Sequence, residues 1–245
     1  KGEGSGVSFD EAQETFTARY THETVALAFA ITEEAIEDNL YDRLASRYTK
    51  ALARSMSNAK QVKAVEPLIQ GLPSTDGFDS GDGVSLFNTS HPTVSGTFQN
   101  TLTTQADLNE TSLEQSLIDI GQMTDERGLR VAARGVKMII PSELQFTAER
   151  LMKSQGRTST ADNDINAIVS MGMIPQGYRV NNYLTDTDAF YIITDIPNGM
   201  KMFNRAPLTT AMEGDFDTGN VRYKARERYS FGVSDPRGIF GVEGA

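Results

Sequence analysis

EEAIEDNLYDRLASRYTKALARSMSNAKQVKAVE, residues 33–66, decides how the rest of the chain is read. It contains neither Pro nor Gly. Thr32 precedes it as an N-cap, and Glu33, Glu34, Glu37 and Asp38 load its first turns with negative charge, which suits the positive end of a helix dipole. Pro67 and Gly71 close it. At 1.5 Å rise per residue such a helix is about 50 Å long, more than a compact small domain needs. Ile36, Leu40, Leu44, Tyr48, Leu52 and Met56 recur every four residues. Each step over-rotates by about 40°, so the apolar stripe winds around the helix and is not a coiled-coil seam. Two readings follow. One is a rod leaning on different neighbours along its length, which the lack of a strong breaker favours. The other is a pair of helices broken near Asn39.

The 245 residues make one large domain or two smaller ones, with ample chain for a core. There is no Cys, which excludes a disulfide framework, thiol catalysis and a Cys-based zinc site. The formal net charge of −10 makes the chain a poor coat for nucleic acid and fits a container that must not stick to polyanionic contents. No apolar run approaches the length that spans a membrane, and no signal peptide is visible. The chain starts at Lys1 rather than Met, so a missing N-terminal part is expected and targeting stays open.

Residues 1–9 are Gly-rich, and GEGSG lacks the Lys-Ser/Thr ending of a phosphate-cradling loop. Phe9 to Ile31 reads as extended. Phe16, Ala18, Tyr20 and His22 alternate with Thr17, Arg19, Thr21 and Glu23, and Val25, Leu27, Phe29 and Ile31 alternate with alanines that also suit a helix. Such an N-terminal strand, with no partner beside it in sequence, is an exposed edge and a docking device.

After the long helix, LPSTDGFDSGDGVSLF is a loop. Asp76, Asp79 and Asp82 do not have EF-hand spacing and read as solvated turn residues. Ser90 and His91 are adjacent, a geometry that rarely builds a nucleophile with its base, and Pro92 marks a turn. A hydrolase or calcium-binding module on residues 76–91 is nevertheless kept as the alternative from another class. Asn109 caps a helix over Glu110–Met123, Val136–Pro141 is a short strand, and Ser142 caps a helix from Glu143 to about Ser154. A short apolar stretch covers Ile165–Met173, and strands cover Gln176–Asn182, Ala189–Asp195 and Lys201–Arg205. The clearest strand is the last, with Val221, Tyr223, Ala225, Glu227, Tyr229, Phe231 and Val233 on one side and Arg222, Lys224, Arg226, Arg228 and Ser230 on the other. That cation row pairs either with a phosphate backbone or with carboxylates on the long helix or a neighbouring subunit. The sign of the whole chain favours carboxylates. The tail after Asp235-Pro236-Arg237-Gly238 reads as turn-like.

The pieces in order are KALARSMSNAKQVKAVEPL at 50–68, DGVSLFNTSHP at 82–92 and Asn100, then MIIPSEL at 138–144 with TAERLMKS after it, NDIN at 163–166, Arg205-x-Pro207, and YKARERYSFGVSDPRGIFG at 223–241. Together they resemble the major capsid proteins of tailed bacteriophages, specifically the Mu-like major head subunit branch of the Hong Kong phage-type capsid fold. The resemblance implies an α+β subunit. Residues 1–31 would be part of an extended loop reaching over an adjacent subunit, with the chain beginning partway into it. Residues 32–71 would be the spine helix of a peripheral domain, 72–210 an axial domain with peripheral-domain parts, and 211–245 the C-terminal peripheral-domain strand. It further implies a shell of hexamers and pentamers around double-stranded DNA bound without sequence specificity. Portal, scaffolding and cement proteins would be partners, assembly would take place in the host bacterial cytoplasm, and the virion would be the final location. No membrane, cofactor, metal or catalytic residue is expected. Arg19, Glu23, Glu33, Glu34, Glu37, Asp38, Arg222, Lys224, Arg226 and Arg228 are the expected subunit contacts, with the strand Thr15–Glu23. A bacterial nanocompartment shell of the encapsulin type is the near alternative.

Overall fold

A computed structural model describes residues 16–38, 41–75, 77–156 and 164–245, together with the backbone but not the side chains of 41–45. The expectations on residues 1–15, Asn39, Leu40, the Leu44 side chain, Asp76 and residues 157–163 lie outside it.

The expected rod is two helices. Strand β1 (Glu23–Ile31) leads into α1 (Glu33–Glu37), where the Thr32 hydroxyl accepts from the Ala35 N–H and Asp38 ends the turn. Helix α2 (Tyr41–Gln70) then runs 30 residues. It passes through Pro67, which sits in the last turn, where a missing N–H costs one intrahelical bond. Gly71 closes the helix, its N–H bonding the Pro67 carbonyl at 3.1 Å. Its carbonyl accepts from Phe87 N–H at 2.9 Å and Ser85 Oγ at 3.0 Å, so the following loop turns back onto the helix end.

Helix α2 leans on successive neighbours, although of the expected stripe only Leu52 and Met56 are buried among the described residues and Tyr48 is exposed. Leu52 and Met56 pack against Ala225, Val25 and Phe29. Further along, Val65 and Leu68 enter a second cluster with Leu86, Phe87, Tyr191 and Val233.

The extended N-terminal stretch is shorter than expected. Residues 16–22 carry no strand, and β1 is the Ala-spaced half. After α2 come the short hairpin β2 (His91–Pro92) and β3 (Thr97–Phe98), then α3 (Glu110–Gln122). Asn109 and Ser112 cap α3 reciprocally. Strand β4 (Gly135–Ile140) follows, then α4 (Gln145–Lys153). Ser142 is not the cap of α4: Leu144 stands there without a side-chain bond, and the Ser142 hydroxyl donates to Glu143. Next are α5 (Ala167–Met171), β5 (Tyr178–Val180) and β6 (Phe190–Thr194).

The expected short strand at Lys201–Arg205 is part of a 15-residue strand, β7 (Met200–Gly214), hairpinned to β8 (Val221–Val233). The tail is not turn-like throughout. A 3₁₀ turn at Pro236–Gly238 leads into β9 (Ile239–Val242), buried at every residue.

Two sheets organise these elements. One is antiparallel, in the order β1-β8-β7. The other runs β5-β4-β6-β9, with β5 parallel to β4 and the remaining pairs antiparallel. Alternation along β6 buries both faces of the second sheet. Phe190 and Ile192 join a core with α3, α4 and α5, while Ala189 and Tyr191 join the cluster at the end of α2. No helix among the described residues is long and apolar enough to cross a membrane.

Phe87 lies where α2, its closing loop and the second sheet meet. It is 0% exposed, with its ring 5.5 Å from that of Tyr191. Phe87→Ala should lower unfolding free energy in a denaturant titration by about 3–5 kcal/mol. Phe146→Ala, at a side chain 70% exposed, should change it by less than about 0.5 kcal/mol.

Candidate functional site

The β1-β8-β7 sheet has two unlike faces, because alternate residues of β8 point opposite ways. One face lies under α2. There Ala225 packs on Leu52 and Met56, and the buried Glu227 carboxylate takes Lys60 Nζ at 3.0 Å. Lys60 also sits 5.1 Å over the Tyr229 ring. Lys63 of α2 bridges Glu66 and Glu23, each at 3.0 Å, and those hydrogen bonds raise the lysine above its ordinary value. Glu23, one of the expected subunit contacts, thus pairs with α2 of the same chain and stays exposed.

The other face carries Arg222, Lys224, Arg226 and Arg228, all exposed. At about 3.4 Å per residue the cations stand about 7 Å apart along a row of about 20 Å. Arg222 is held by Asp215 at the hairpin end. Asp215 lies below its ordinary value because it accepts from the Thr218 hydroxyl and faces Arg222. Lys224, Arg226 and Arg228 make no ion pair among the described residues. The row cannot pair with α2, which covers the opposite face. That corrects one of the two carboxylate sources expected from the sequence.

The remaining expected contacts sit apart. Glu33, Glu34, Glu37 and Asp38 are exposed on and beside α1 and make no ion pair among the described residues. Arg19 is exposed in the segment before β1. Of the strand expected over Thr15–Glu23, only Glu23, the first residue of β1, is strand among the described residues; residues 16–22 are tied by side chains. Tyr20 OH shares a hydrogen bond with Ser234 Oγ at 2.5 Å, its ring meets Phe203 at 4.7 Å, and His22 Nδ1 meets Ser230 Oγ at 3.1 Å. Strand β1 itself is paired along one edge with β8, from Glu23 opposite Tyr229 to Ile31 opposite Val221. Beneath residues 17–21 lies an open groove of about 510 Å³, walled by the end of α2 and the 78–83 loop.

The 76–91 loop does not assemble a catalytic or calcium site among the described residues. His91 is fully buried, with Nδ1 2.6 Å from Asp82 Oδ2 and Nε2 3.0 Å from Asn100 Oδ1. Asn100 in turn donates to the carbonyls of Leu86 at 2.7 Å and Pro236 at 3.1 Å. Both ring nitrogens are thus occupied, and exposed Ser90 has no base to activate it. Asp82 is spent on His91, Ser80 and the Val84 N–H. The network locks the loop to the C-terminal segment. Close by, Arg237 sits 4.2 Å over the Phe98 ring and pairs with Glu126 at 2.7 Å. Neither this pair nor Lys60–Glu227 was foreseen, although an acid at 227 among the apolar residues of β8 was a legible sign of a buried partner.

The model of the phage capsid protein family matches residues 14–242. No curated protein sequence matches the chain. Solved structures share its fold at low identity. The capsid of Myoviridae phage XM1 is 12% identical with a TM-score of 0.58, over 92% of this chain and 74% of that one. A Mycobacterium phage Patience chain is 10% identical with a TM-score of 0.59, over 98% and 78%. The capsid of an empty GTA particle is 15% identical with a TM-score of 0.51, over 99% and 81%.

Burial disfavours the charge on Asp82, yet the His91, Ser80 and Val84 bonds outweigh it and hold the carboxyl below its ordinary value of 3.8. The stabilisation is complete above that ordinary value and is lost as pH falls through the depressed folded one. Asp82→Asn should destabilise the chain by about 1–3 kcal/mol at pH 7, because it removes the carboxylate that meets the His91 ring, Ser80 and the Val84 N–H. It should also flatten the acid limb of stability against pH. An unchanged acid limb would show that the Asp82–His91 pair does not form.

Proposed function

The chain belongs to the phage capsid protein family, and from that premise we propose that it is the major head subunit of a tailed phage, in the Mu-like branch. Copies tile through hexamers and pentamers into an icosahedral shell around double-stranded DNA. The family match over residues 14–242 carries this reading, and it sets the encapsulin-type nanocompartment aside. A sheet covered by a helix on one face and exposed from Arg222 to Arg228 on the other supports it, since a tile needs surface left over after folding.

The subunit works geometrically and transforms no substrate. Modest contacts repeated around a closed shell sum to a large resistance to opening. Within that reading, residues 1–31 reach toward a neighbour, 32–71 form the spine, 72–210 the axial domain and 211–245 the closing strand, with β7 shared across the last boundary. Arg19, the acids of α1 and the row on β8 make contacts between copies. Portal, scaffolding and cement proteins are the further partners, and the host cytoplasm is the place of assembly.

Sedimentation of the purified chain tests this. Assemblies far heavier than the 26.8 kDa subunit are expected, and Ser90→Ala and Asp79→Ala should leave their yield unchanged. A 26.8 kDa species with a hydrolytic or calcium-dependent activity lost in those variants would contradict it.

A further inference from the structure

We propose that the cation row of β8 is the seat for the acidic start of α1 from a second copy of the chain. The assignment rests on the self-assembly reading and specifies which two surfaces meet.

The row stands among small side chains. Ala26, Ala28 and Ala30 of β1 flank it on one side, opposite Arg226, Lys224 and Arg222. Thr209 and Ala211 of β7 flank it on the other, opposite Arg226 and Lys224. All five are exposed. The one acid placed across from the row is Glu213, opposite Arg222, which Asp215 already holds. Three cations therefore rise from a floor of methyl groups on a chain of net charge −10.

Such a floor admits close approach of another backbone and rewards it by burying methyl surface. A nucleic acid backbone would use the cations and gain nothing from the alanines. A helix edge uses both.

The acids of α1 match the row in spacing. Glu33 and Glu37, like Glu34 and Asp38, are four residues apart, which is about 6 Å along a helix. Alternate residues of β8 repeat at about 7 Å. Two carboxylates can thus face two neighbouring cations at once.

The same chain cannot supply them to the whole row. Helix α1 follows Ile31, which is paired with Val221 at the Arg222 end, and the Glu33 carboxylate packs against Gly219 of the hairpin turn. Arg228 lies about 20 Å further along the strand. The occupant is a second copy. Because the two surfaces differ, the contact is head-to-tail, the kind that closes into rings.

Charge exchange on the full chain tests it. Lys224→Glu with Arg226→Glu and Arg228→Glu should cut shell yield about tenfold or more, since like charges then face each other. Glu33→Lys with Glu34→Lys and Glu37→Lys should do the same. All six changes in one chain should restore assembly. Yield is read by electron microscopy and light scattering, with circular dichroism as the control for folding. Should the acidic triple variant misfold, the neutral Lys224→Gln, Arg226→Gln, Arg228→Gln chain replaces it. Its residual assembly should have lost the salt sensitivity of the unaltered chain.

Full assembly of the basic-row variants would overturn the proposal. If those variants assemble but lose co-purifying nucleic acid, the occupant is a phosphate backbone. Blocked assembly that the six-fold variant fails to restore removes α1 as the occupant. Failure of the unaltered chain to assemble would instead bring down the self-assembly reading, and this proposal with it.

Discussion

Helix α2 is gripped in two places by different partners. Its middle presses Leu52 and Met56 onto the three-stranded sheet. Its C-terminal turns bury Val65 and Leu68 with Phe87 and Tyr191 against the four-stranded sheet. A side chain four residues on points about 40° further around the axis, so one straight helix offers its apolar surface to two neighbours in turn. The two sheets hold their places because the same rod packs against both. The Lys60–Glu227 and Lys63–Glu23 pairs fix the rod's rotation over β8 and β1.

That arrangement leaves the outer sheet half finished as a folding unit. An antiparallel sheet is stable with one covered face and one bare face. Here the Arg222–Arg228 stretch of the uncovered face is exposed and basic, and among the described residues the outer strands β1 and β7 each keep an unpaired edge. In an isolated protein such edges invite unwanted pairing. In a shell subunit they are the material from which neighbours are joined. The buried Asp82–His91–Asn100 network serves the other requirement, a loop held rigidly between the end of α2 and the C-terminal segment.

Much of this was legible in the sequence wherever a local period or cap decides the outcome. The alternation of β8 named the buried side and the cation side from Arg222 to Arg228, while Ser230, expected beside the cations, is buried under His22. Asn109 announced α3. Elements decided by distant partners were not legible. Strand β7 was cut short because Pro207 interrupts its pattern, and the register slips between Asn204 and Ala206 and between Ala206 and Thr209. An edge strand tolerates a proline at such bulges. Strand β9 is four apolar residues whose strand character comes from pairing with β6. The end of α1 at Asp38 has no Gly or Pro to signal it, and the sequence left it as one of two readings. His91 finds Asp82 nine residues before it and Asn100 nine after it, a juxtaposition that exists only once the β2–β3 hairpin has closed.

The central claim is that the uncovered face of the β1-β8-β7 sheet exists to meet another copy. An electron cryo-microscopy reconstruction of particles formed by the purified chain tests it most directly. The account predicts closed shells in which the Lys224, Arg226 and Arg228 side chains of every subunit lie against a neighbouring subunit. A chain that stays solitary, or a shell in which that face is bare on every subunit, would contradict it.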